Sequence, residues 1–78
     1  MIVVKYFGVI AEHTNSTEEQ IGLSELSLPD CVAALMKKYS FEDVQFSIAL
    51  NQNLIDKSSD IVLRANDELA FLPPFAGG

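Results

Sequence analysis

The chain has 78 residues, 49% of them hydrophobic, and a formal net charge of -6 at pH 7. This length predicts one small domain with a real core and little room for an enclosed active site. The negative charge argues against nucleic acid as a partner, because a phosphate backbone would repel the surface. The negative charge would favour docking on a positively charged protein, and it would equally serve solubility alone. The sequence leaves both interpretations open.

Hydrophobic residues occur only in short runs, so no segment approaches the length of a membrane span. The chain opens directly on strand-like sequence, without the features of a secretory signal peptide. Cys31 is the single cysteine, which excludes an internal disulfide and fits a reducing compartment. We therefore expect a soluble, cytoplasmic protein that contacts no membrane.

The first predicted element is a strand in IVVKYF, residues 2–7. Its β-branched and aromatic residues alternate, with Ile2, Val4 and Tyr6 on one face and Phe7 on the other. A short helical turn and a polar loop follow.

A second strand is expected over residues 18–26, where Gly22 indicates a bulge or a close backbone approach. The main helix is expected to begin at Ser27, because Ser27 and Asp30 have the spacing of a capping box and Pro29 lies in the first turn. The apolar residues that then share one helical face are Leu28, Val32, Leu35, Met36 and Tyr39.

The second half of the chain predicts strands joined by turns. Phe46, Ile48 and Leu50 alternate as a third strand, and residues 51–53 supply turn chemistry before a short return in residues 54–55.

Ile61, Val62 and Leu63 form a small apolar knot, and a polar turn over residues 64–67 leads to a last strand over residues 68–72. In that strand residues 69 and 71 share one face, and residues 70 and 72 the other. The expected domain, residues 1–72, is therefore α+β: a mixed sheet of four to five strands packed on one main helix.

The side chains of this domain offer little chemistry of their own. His13 is the only histidine and lies in a polar segment, so a solvated residue is favoured over a metal ligand, and we expect no metal site. Cys31 is expected to be packed and unreactive, because no basic residue adjoins it. None of the four glycines makes a phosphate-binding loop, and the adjacent acidic pairs are expected to be solvated surface charge.

The sequence FLPPFAGG closes the chain and is its most distinctive feature. Pro73 and Pro74 end the last strand, since neither has an N–H for a ladder, and favour an extended path away from the domain. Phe75 and Ala76 add apolar side chains with which the tail could grip a partner. Gly77 and Gly78 follow with a backbone that has no side chains and could enter a narrow channel. We expect residues 73–78 to form an extended functional tail rather than a frayed end.

These residues carry a resemblance that covers essentially the full length. IVVKYFGVIAE, ALNQNLI and above all NDELAFLPPFAGG resemble the small subunits of molybdopterin synthase, sulfur-carrier proteins of the ubiquitin-like β-grasp fold. That family usually ends close to DGDEVAFFPPVAGG. Here Asn66 replaces the turn glycine, Leu72 an aromatic residue and Phe75 a smaller aliphatic one.

The resemblance implies a function for Gly78. An adenylating enzyme similar to the ubiquitin-activating type, using ATP and Mg, would activate its carboxylate, which would become a thiocarboxylate. Within the large synthase subunit this sulfur would attack cyclic pyranopterin monophosphate, with two carriers consumed per molybdopterin, in a heterotetramer of two small and two large subunits. This chain would bind no cofactor itself.

The resemblance also assigns partner contacts. Gly77, which has no side chain, would keep the tail narrow where it approaches the partner. The other tail residues, Pro73, Pro74, Phe75 and Ala76, would set the direction of the tail and its grip in the partner's groove. Phe7 and Leu72 match positions of an apolar patch against the partner, although ordinary partial exposure remains an equal interpretation. Asp67 and Glu68 would meet basic partner groups.

Three alternatives remain open from the sequence. The chain could supply sulfur for the thiazole of thiamine, it could be a ubiquitin-like modifier joined to lysines, or it could be an interaction module with an inert tail. The proline pair and the length favour the molybdopterin member.

Overall fold

The computed structural model describes residues 1–74, which form two helices, a five-stranded sheet and a two-stranded sheet. The elements in chain order are β1 (Ile2–Tyr6), α1 (Val9–Thr14), β2 (Glu18–Ile21), β3 (Glu25–Ser27), α2 (Leu28–Tyr39), β4 (Ser47–Leu50), β5 (Asn53–Ile55), β6 (Val62–Arg64) and β7 (Glu68–Leu72). The expected α+β class is confirmed, with α2 as the main helix.

The first and last strands of the described residues are neighbours near the middle of the larger sheet, whose order is β2-β1-β7-β4-β5. β1 and β7 run parallel, with Val4 opposite Leu69 and Tyr6 opposite Phe71. The other pairs of this sheet are antiparallel, so the sheet is mixed as expected. This arrangement is the β-grasp, or ubiquitin-like, fold.

The core lies between the sheet and α2, and Phe71 is at its centre. Its ring centroid lies 5.3 Å from that of Phe46 and 5.7 Å from those of Tyr6 and Phe41. Phe41, just after α2, is fully buried although the sequence pattern did not indicate it. The predicted helix face is confirmed: Leu28, Val32 and Leu35 are buried, with Met36 and Tyr39 packed against the core.

The expected single strand over residues 18–26 is wrong, because the chain breaks into β2 and β3, which belong to different sheets. β3 pairs with β6, so the apolar knot at residues 61–63 contributes most of a strand. Gly22 lies between β2 and β3, and a methyl group there would meet no atom of residues 1–74 within 4 Å. The expected close backbone approach at Gly22 is therefore also wrong.

The start of α2 is correct in position but not in mechanism. Ser27 is the N-cap residue and Pro29 lies in the first turn, but the Ser27 side chain makes no capping hydrogen bond within the described chain. The Leu28 N–H instead donates to the Ile61 carbonyl at 2.8 Å. The backbone of the segment before β6 thus satisfies one of the free donors in the first turn of α2, although not the N–H groups of Ser27 and Asp30 that a capping box would pair.

A partly buried polar junction joins β1, β2 and α2 beside this core. One carboxylate oxygen of Glu19 accepts hydrogen bonds from the Tyr6 hydroxyl and, at 2.7 Å, from the Tyr39 hydroxyl. The other oxygen lies 3.6 Å from Lys38 Nζ. Burial opposes ionisation of Glu19, but the two tyrosine hydrogen bonds and Lys38 outweigh it and hold its pKa below the usual value.

Glu19→Gln should destabilise the domain by about 1–3 kcal/mol at pH 7, because it removes charge-assisted hydrogen bonds. The lowered pKa means that the unfolded chain takes up this proton first as the pH falls. The stabilisation by Glu19 is therefore present above the ordinary pKa of 4.5 and lost below it. Urea unfolding at pH 7 and at lower pH measures this, and the difference between the two proteins should shrink in acid.

Glu25→Gln is the matched control. Glu25 pairs with Arg64 at 3.1 Å, but both side chains are 67% exposed. Its loss should change the stability by no more than about 1 kcal/mol. Equal effects of the two substitutions at pH 7 would contradict a special role for the Glu19 junction.

Candidate functional site

The tail leaves the domain at the junction of Gly8 and Pro73. The Phe7 N–H donates to the Phe71 carbonyl at 3.0 Å, which continues the pairing with β7 one residue past the end of β1. Gly8 then takes φ 60° and ψ -136°, a conformation that favours glycine. A Cβ at Gly8 would lie 2.7 Å from the Pro73 Cγ, so the absence of a side chain leaves the space that the proline ring occupies.

Of the predicted tail, the structure describes the two prolines. β7 ends at Leu72, and Pro73 and Pro74 follow it as exposed residues outside any strand. Phe75, Ala76, Gly77 and Gly78 lie outside the described residues, so their predicted roles stay predictions.

An open apolar depression covers the face of the sheet that points away from α2. Phe7 is 44% exposed and Leu72 is partly exposed, and both line this depression of about 430 Å³. The other residues that line it are Lys5, Ala49, Gln52, Leu54, Glu68 and Ala70. We call it the sheet groove.

Of the four residues before the tail that were predicted to meet a partner, the structure thus brings together three: Phe7, Leu72 and Glu68. Glu68 is already paired, since its Oε1 lies 3.3 Å from Lys5 Nζ. The sequence reasoning missed Lys5, although its place beside Phe7 in an alternating strand put both on the outer face.

Asp67 lies in the turn between β6 and β7, and its carboxylate is hydrogen-bonded to other residues of the same domain. It accepts hydrogen bonds from the Arg64 N–H at 2.7 Å and from the Asn51 side chain at 3.1 Å. These two bonds hold its pKa below the usual value. Asn66, in place of the family's turn glycine, adopts a positive φ of 74°, which asparagine tolerates better than most residues. Asp67 therefore shapes the turn, and its contact with a partner stays a prediction.

The two remaining candidate side chains are those of Cys31 and His13. Cys31 is buried on α2, and burial, with a smaller effect of Glu19, raises the pKa of its thiol to about 11. The expectation that Cys31 is packed is confirmed, and the raised pKa disfavours the thiolate, which is the reactive form. His13 lies in the last turn of α1 and is exposed, as the expected solvated residue would be. Residues 1–74 contain no metal-binding cluster of three or more His, Cys, Asp or Glu side chains.

No helix in the described part of the chain is long and apolar enough to cross a membrane. The features that point to a function are the sheet groove and the prolines that lead away from β7. Among residues 1–74, they belong to a β-grasp domain whose last strand is followed by two exposed prolines.

Comparison with known proteins identifies the family. The ThiS family pattern matches residues 4–78, and the chain belongs to the ThiS family. A curated relative, the molybdopterin synthase sulfur carrier subunit of Drosophila yakuba, is 29% identical over 79 residues, spanning 96% of this chain and 88% of the relative.

Solved structures share the fold. A putative molybdopterin converting factor subunit 1 from Pyrococcus furiosus has a TM-score of 0.78 at 24% identity, covering 95% of this chain and 97% of that one. SAMP1 from Haloferax volcanii has a TM-score of 0.72 at 21% identity, covering 99% and 98%. A complex of subunits 1 and 2 of molybdopterin-converting factor from Helicobacter pylori matches with a TM-score of 0.62 at 27% identity, covering 99% and 97%.

The family and these relatives confirm the resemblance stated from the sequence. The curated relative is named as a sulfur carrier, and the Helicobacter pylori structure holds subunits 1 and 2 of that protein in one complex.

Gly8→Ala should destabilise the domain by about 1–3 kcal/mol, because alanine strains this backbone conformation and its Cβ would clash with Pro73. The root of the tail must then shift, which chemical-shift changes at residues 7–9 and 71–74 would report. Thermal unfolding measures the stability.

Gly22→Ala is the control, because the space around Gly22 is open and its φ is not positive. It should leave the stability within about 1 kcal/mol of the original chain. If Gly8→Ala is as harmless as Gly22→Ala, the Gly8–Pro73 contact does not position the tail.

Proposed function

We propose that this protein is the sulfur-carrier subunit of a molybdopterin synthase and that the carboxylate of Gly78 carries the sulfur as a thiocarboxylate. The main support is the family match, which runs from β1 through the Gly-Gly end. The curated relative of the same function spans 96% of the chain. The location is proposed to be the cytoplasm.

The starting group, the carboxylate of Gly78, is a poor electrophile and resists attack by nucleophiles. An adenylating enzyme therefore first transfers the AMP part of ATP to it, giving the acyl-adenylate of Gly78 and pyrophosphate. The terminal sulfur of a persulfide donor then displaces AMP and forms an acyl disulfide. A thiol cleaves the S–S bond, becoming a disulfide itself, and leaves the thiocarboxylate on Gly78. ATP and Mg belong to the activating enzyme, and this chain holds no cofactor.

The thiocarboxylate sulfur is a soft nucleophile, and its target is cyclic pyranopterin monophosphate held by the large subunit. Attack forms a C–S bond on a side-chain carbon of the pterin in place of a C–O bond, and the chain is then held as a thioester. Water cleaves the acyl C–S bond, which leaves the sulfur on the pterin and returns Gly78 as a carboxylate. Each molybdopterin dithiolene contains two sulfurs, so two charged carriers are consumed. A heterotetramer of two small and two large subunits would serve both transfers.

The residues of this chain deliver the sulfur rather than catalyse its transfer. Pro73 and Pro74 direct the tail away from β7, and Phe75 and Ala76 grip the partner's groove. Gly77 keeps the backbone slim where the tail enters the partner's active site. Phe7, Leu72 and Glu68 form part of the docking surface, with Asp67 at its edge.

The functional test uses the chain prepared with a thiocarboxylate at Gly78, mixed with the large subunit and cyclic pyranopterin monophosphate. We expect molybdopterin to form. A thiocarboxylated chain that ends at Gly77 should react at least about 100-fold more slowly, because its sulfur is withdrawn by about one residue, roughly 3.5 Å. Gly22→Ala, which changes an open position far along the chain from the tail, should react like the original chain.

Other outcomes would replace the proposal. Full activity of the shortened chain would contradict the role of Gly78. Sulfur transfer to a thiamine thiazole precursor, with none to the pterin, would favour the thiamine carrier. Conjugates of higher mass on lysines in cell extract, without sulfur transfer, would favour a protein modifier.

A further inference from the structure

The outer edge of β6, in the two-stranded sheet, is an unpaired strand edge. The Leu28 N–H donates to the Ile61 carbonyl at 2.8 Å, which makes this a bonded position of the ladder between β3 and β6. Bonded and non-bonded pairs alternate along an antiparallel ladder, so the next pair, Ser27 and Val62, is non-bonded. The N–H and C=O of Val62 therefore point away from β3, and neither has a hydrogen-bond partner within residues 1–74.

Val62 also presents an apolar side chain at this edge. It is 43% exposed, whereas its neighbour Leu63 turns inward and is fully buried. The backbone groups of Arg64 are not free, because its N–H donates to the Asp67 carboxylate at 2.7 Å and its carbonyl accepts from the Asp67 N–H at 3.0 Å. The free part of the edge is thus centred on Val62. A free backbone edge with an exposed apolar side chain is a template for pairing with another strand.

The outer edge of β2, in the larger sheet, is protected against such pairing. The Ser16 hydroxyl accepts a hydrogen bond from the Glu18 N–H at 3.3 Å and donates one to the Glu18 carbonyl at 2.8 Å. Glu18 and Glu19 add two carboxylates to this strand, which would repel a second acidic strand. The edge of β6 has neither protection at Val62.

The charges beside Val62 indicate which strand fits the edge of β6. Asp60 and Arg64 are exposed and lie two positions before and two positions after Val62. In an antiparallel pairing of two β6 strands centred on Val62, each Arg64 lies opposite Asp60 of the other copy. Glu25 holds the Arg64 guanidinium at 3.1 Å on the exposed side of the small sheet. The edge is therefore complementary in charge to a second copy of itself.

We propose that two copies of this chain associate through their β6 strands, paired antiparallel about a two-fold axis at Val62. The Val62 N–H of each copy donates to the Val62 carbonyl of the other, and the two small sheets join in the order β3-β6-β6-β3. Two ion pairs between Arg64 and Asp60 flank the axis. The contact is short, so the association is weak.

The net charge of -6 opposes the association of two copies. At an ionic strength of about 0.15 M, however, exposed charges more than about 8 Å apart are largely screened. The charges next to the axis, Asp60 and Arg64, are of opposite sign. The local attraction therefore acts where the long-range repulsion is screened.

The proposed contact lies away from the tail. β6 leads through the turn at residues 65–67 into the start of β7, and the tail follows the end of β7. β7 has five residues, so its two ends are roughly 17 Å apart. No residue that lines the sheet groove belongs to β3 or β6. The dimer would leave both tails and both sheet grooves uncovered, and it does not depend on the proposed function.

Sedimentation equilibrium of the full chain tests the proposal, at concentrations up to about 1 mM so that weak association is detected. We expect a reversible dimer. Val62→Lys should raise its Kd at least about tenfold, because two ammonium groups would meet at the axis. Ala34→Lys makes the same change in net charge at an exposed position on α2 and should not raise the Kd.

Charge exchange tests the antiparallel register. Arg64→Glu places a carboxylate opposite Asp60, and Asp60→Arg places two guanidinium groups opposite each other, so each variant alone should associate at least about tenfold more weakly. Mixing the two variants restores opposite charges at both positions, and the mixed dimer should be at least about tenfold tighter than either variant with itself. Circular dichroism and thermal unfolding show whether each variant is folded.

Three results would overturn the proposal. One is an original chain that stays monomeric at about 1 mM. Another is a dimer that folded Val62→Lys does not weaken, since its contact would lie elsewhere. The third is a mixture of the folded Arg64→Glu and Asp60→Arg variants that associates no better than either alone. Val62→Lys should still accept and transfer sulfur like the original chain, so a failure of the proposed function and a failure of the dimer are distinguishable.

Discussion

The parallel pairing of β1 with β7 is the constraint on which the rest of the molecule depends. It joins residues more than 60 positions apart in sequence and fixes Tyr6 beside Phe71 in the core. It also carries the end of β1 to the end of β7, where Gly8 meets Pro73. The same pairing therefore completes the core and sets the point at which the tail leaves.

The pairing also divides the sheet into two faces with different tasks. Tyr6, Leu69 and Phe71 turn inward and are fully or almost fully buried. Phe7, Ala70 and Leu72 turn outward and form much of the sheet groove. Because the tail starts at the same end as Phe7 and Leu72, a partner that covers this face also lies next to the prolines. Such an arrangement suits a carrier whose reactive end must be delivered into another protein.

Much of this fold could be predicted from local patterns. The alternation in β1 and β7 and the helical spacing in α2 showed which side chains face the core, and the outward position of Phe7 followed from the same alternation. β3 and β6 could not be recognised because each has three residues and depends on pairing with a strand 35 or more positions away in sequence. Phe41 is a single aromatic residue after a helix, and its burial depends on the packing of Phe46 and Phe71.

The candidate site, like the fold, could be predicted only where local sequence defines it. The tail was predicted because its residue types have few other uses after a strand, and the structure describes Pro73 and Pro74 of it. The contact of Gly8 with Pro73 and the ion pair of Lys5 with Glu68 could not, because both require the register of β1 against β7. Asp67 was predicted from resemblance as a contact residue, but its bonds to Arg64 and Asn51 are visible only in the folded turn.

The most direct measurement of the central claim is the intact mass of the chain after incubation with ATP, its activating enzyme and a persulfide donor. The account predicts a gain equal to the difference between one sulfur and one oxygen, located at Gly78 by fragmentation. No gain, under conditions in which a known sulfur carrier is charged by its own activating enzyme, would contradict a carrier role.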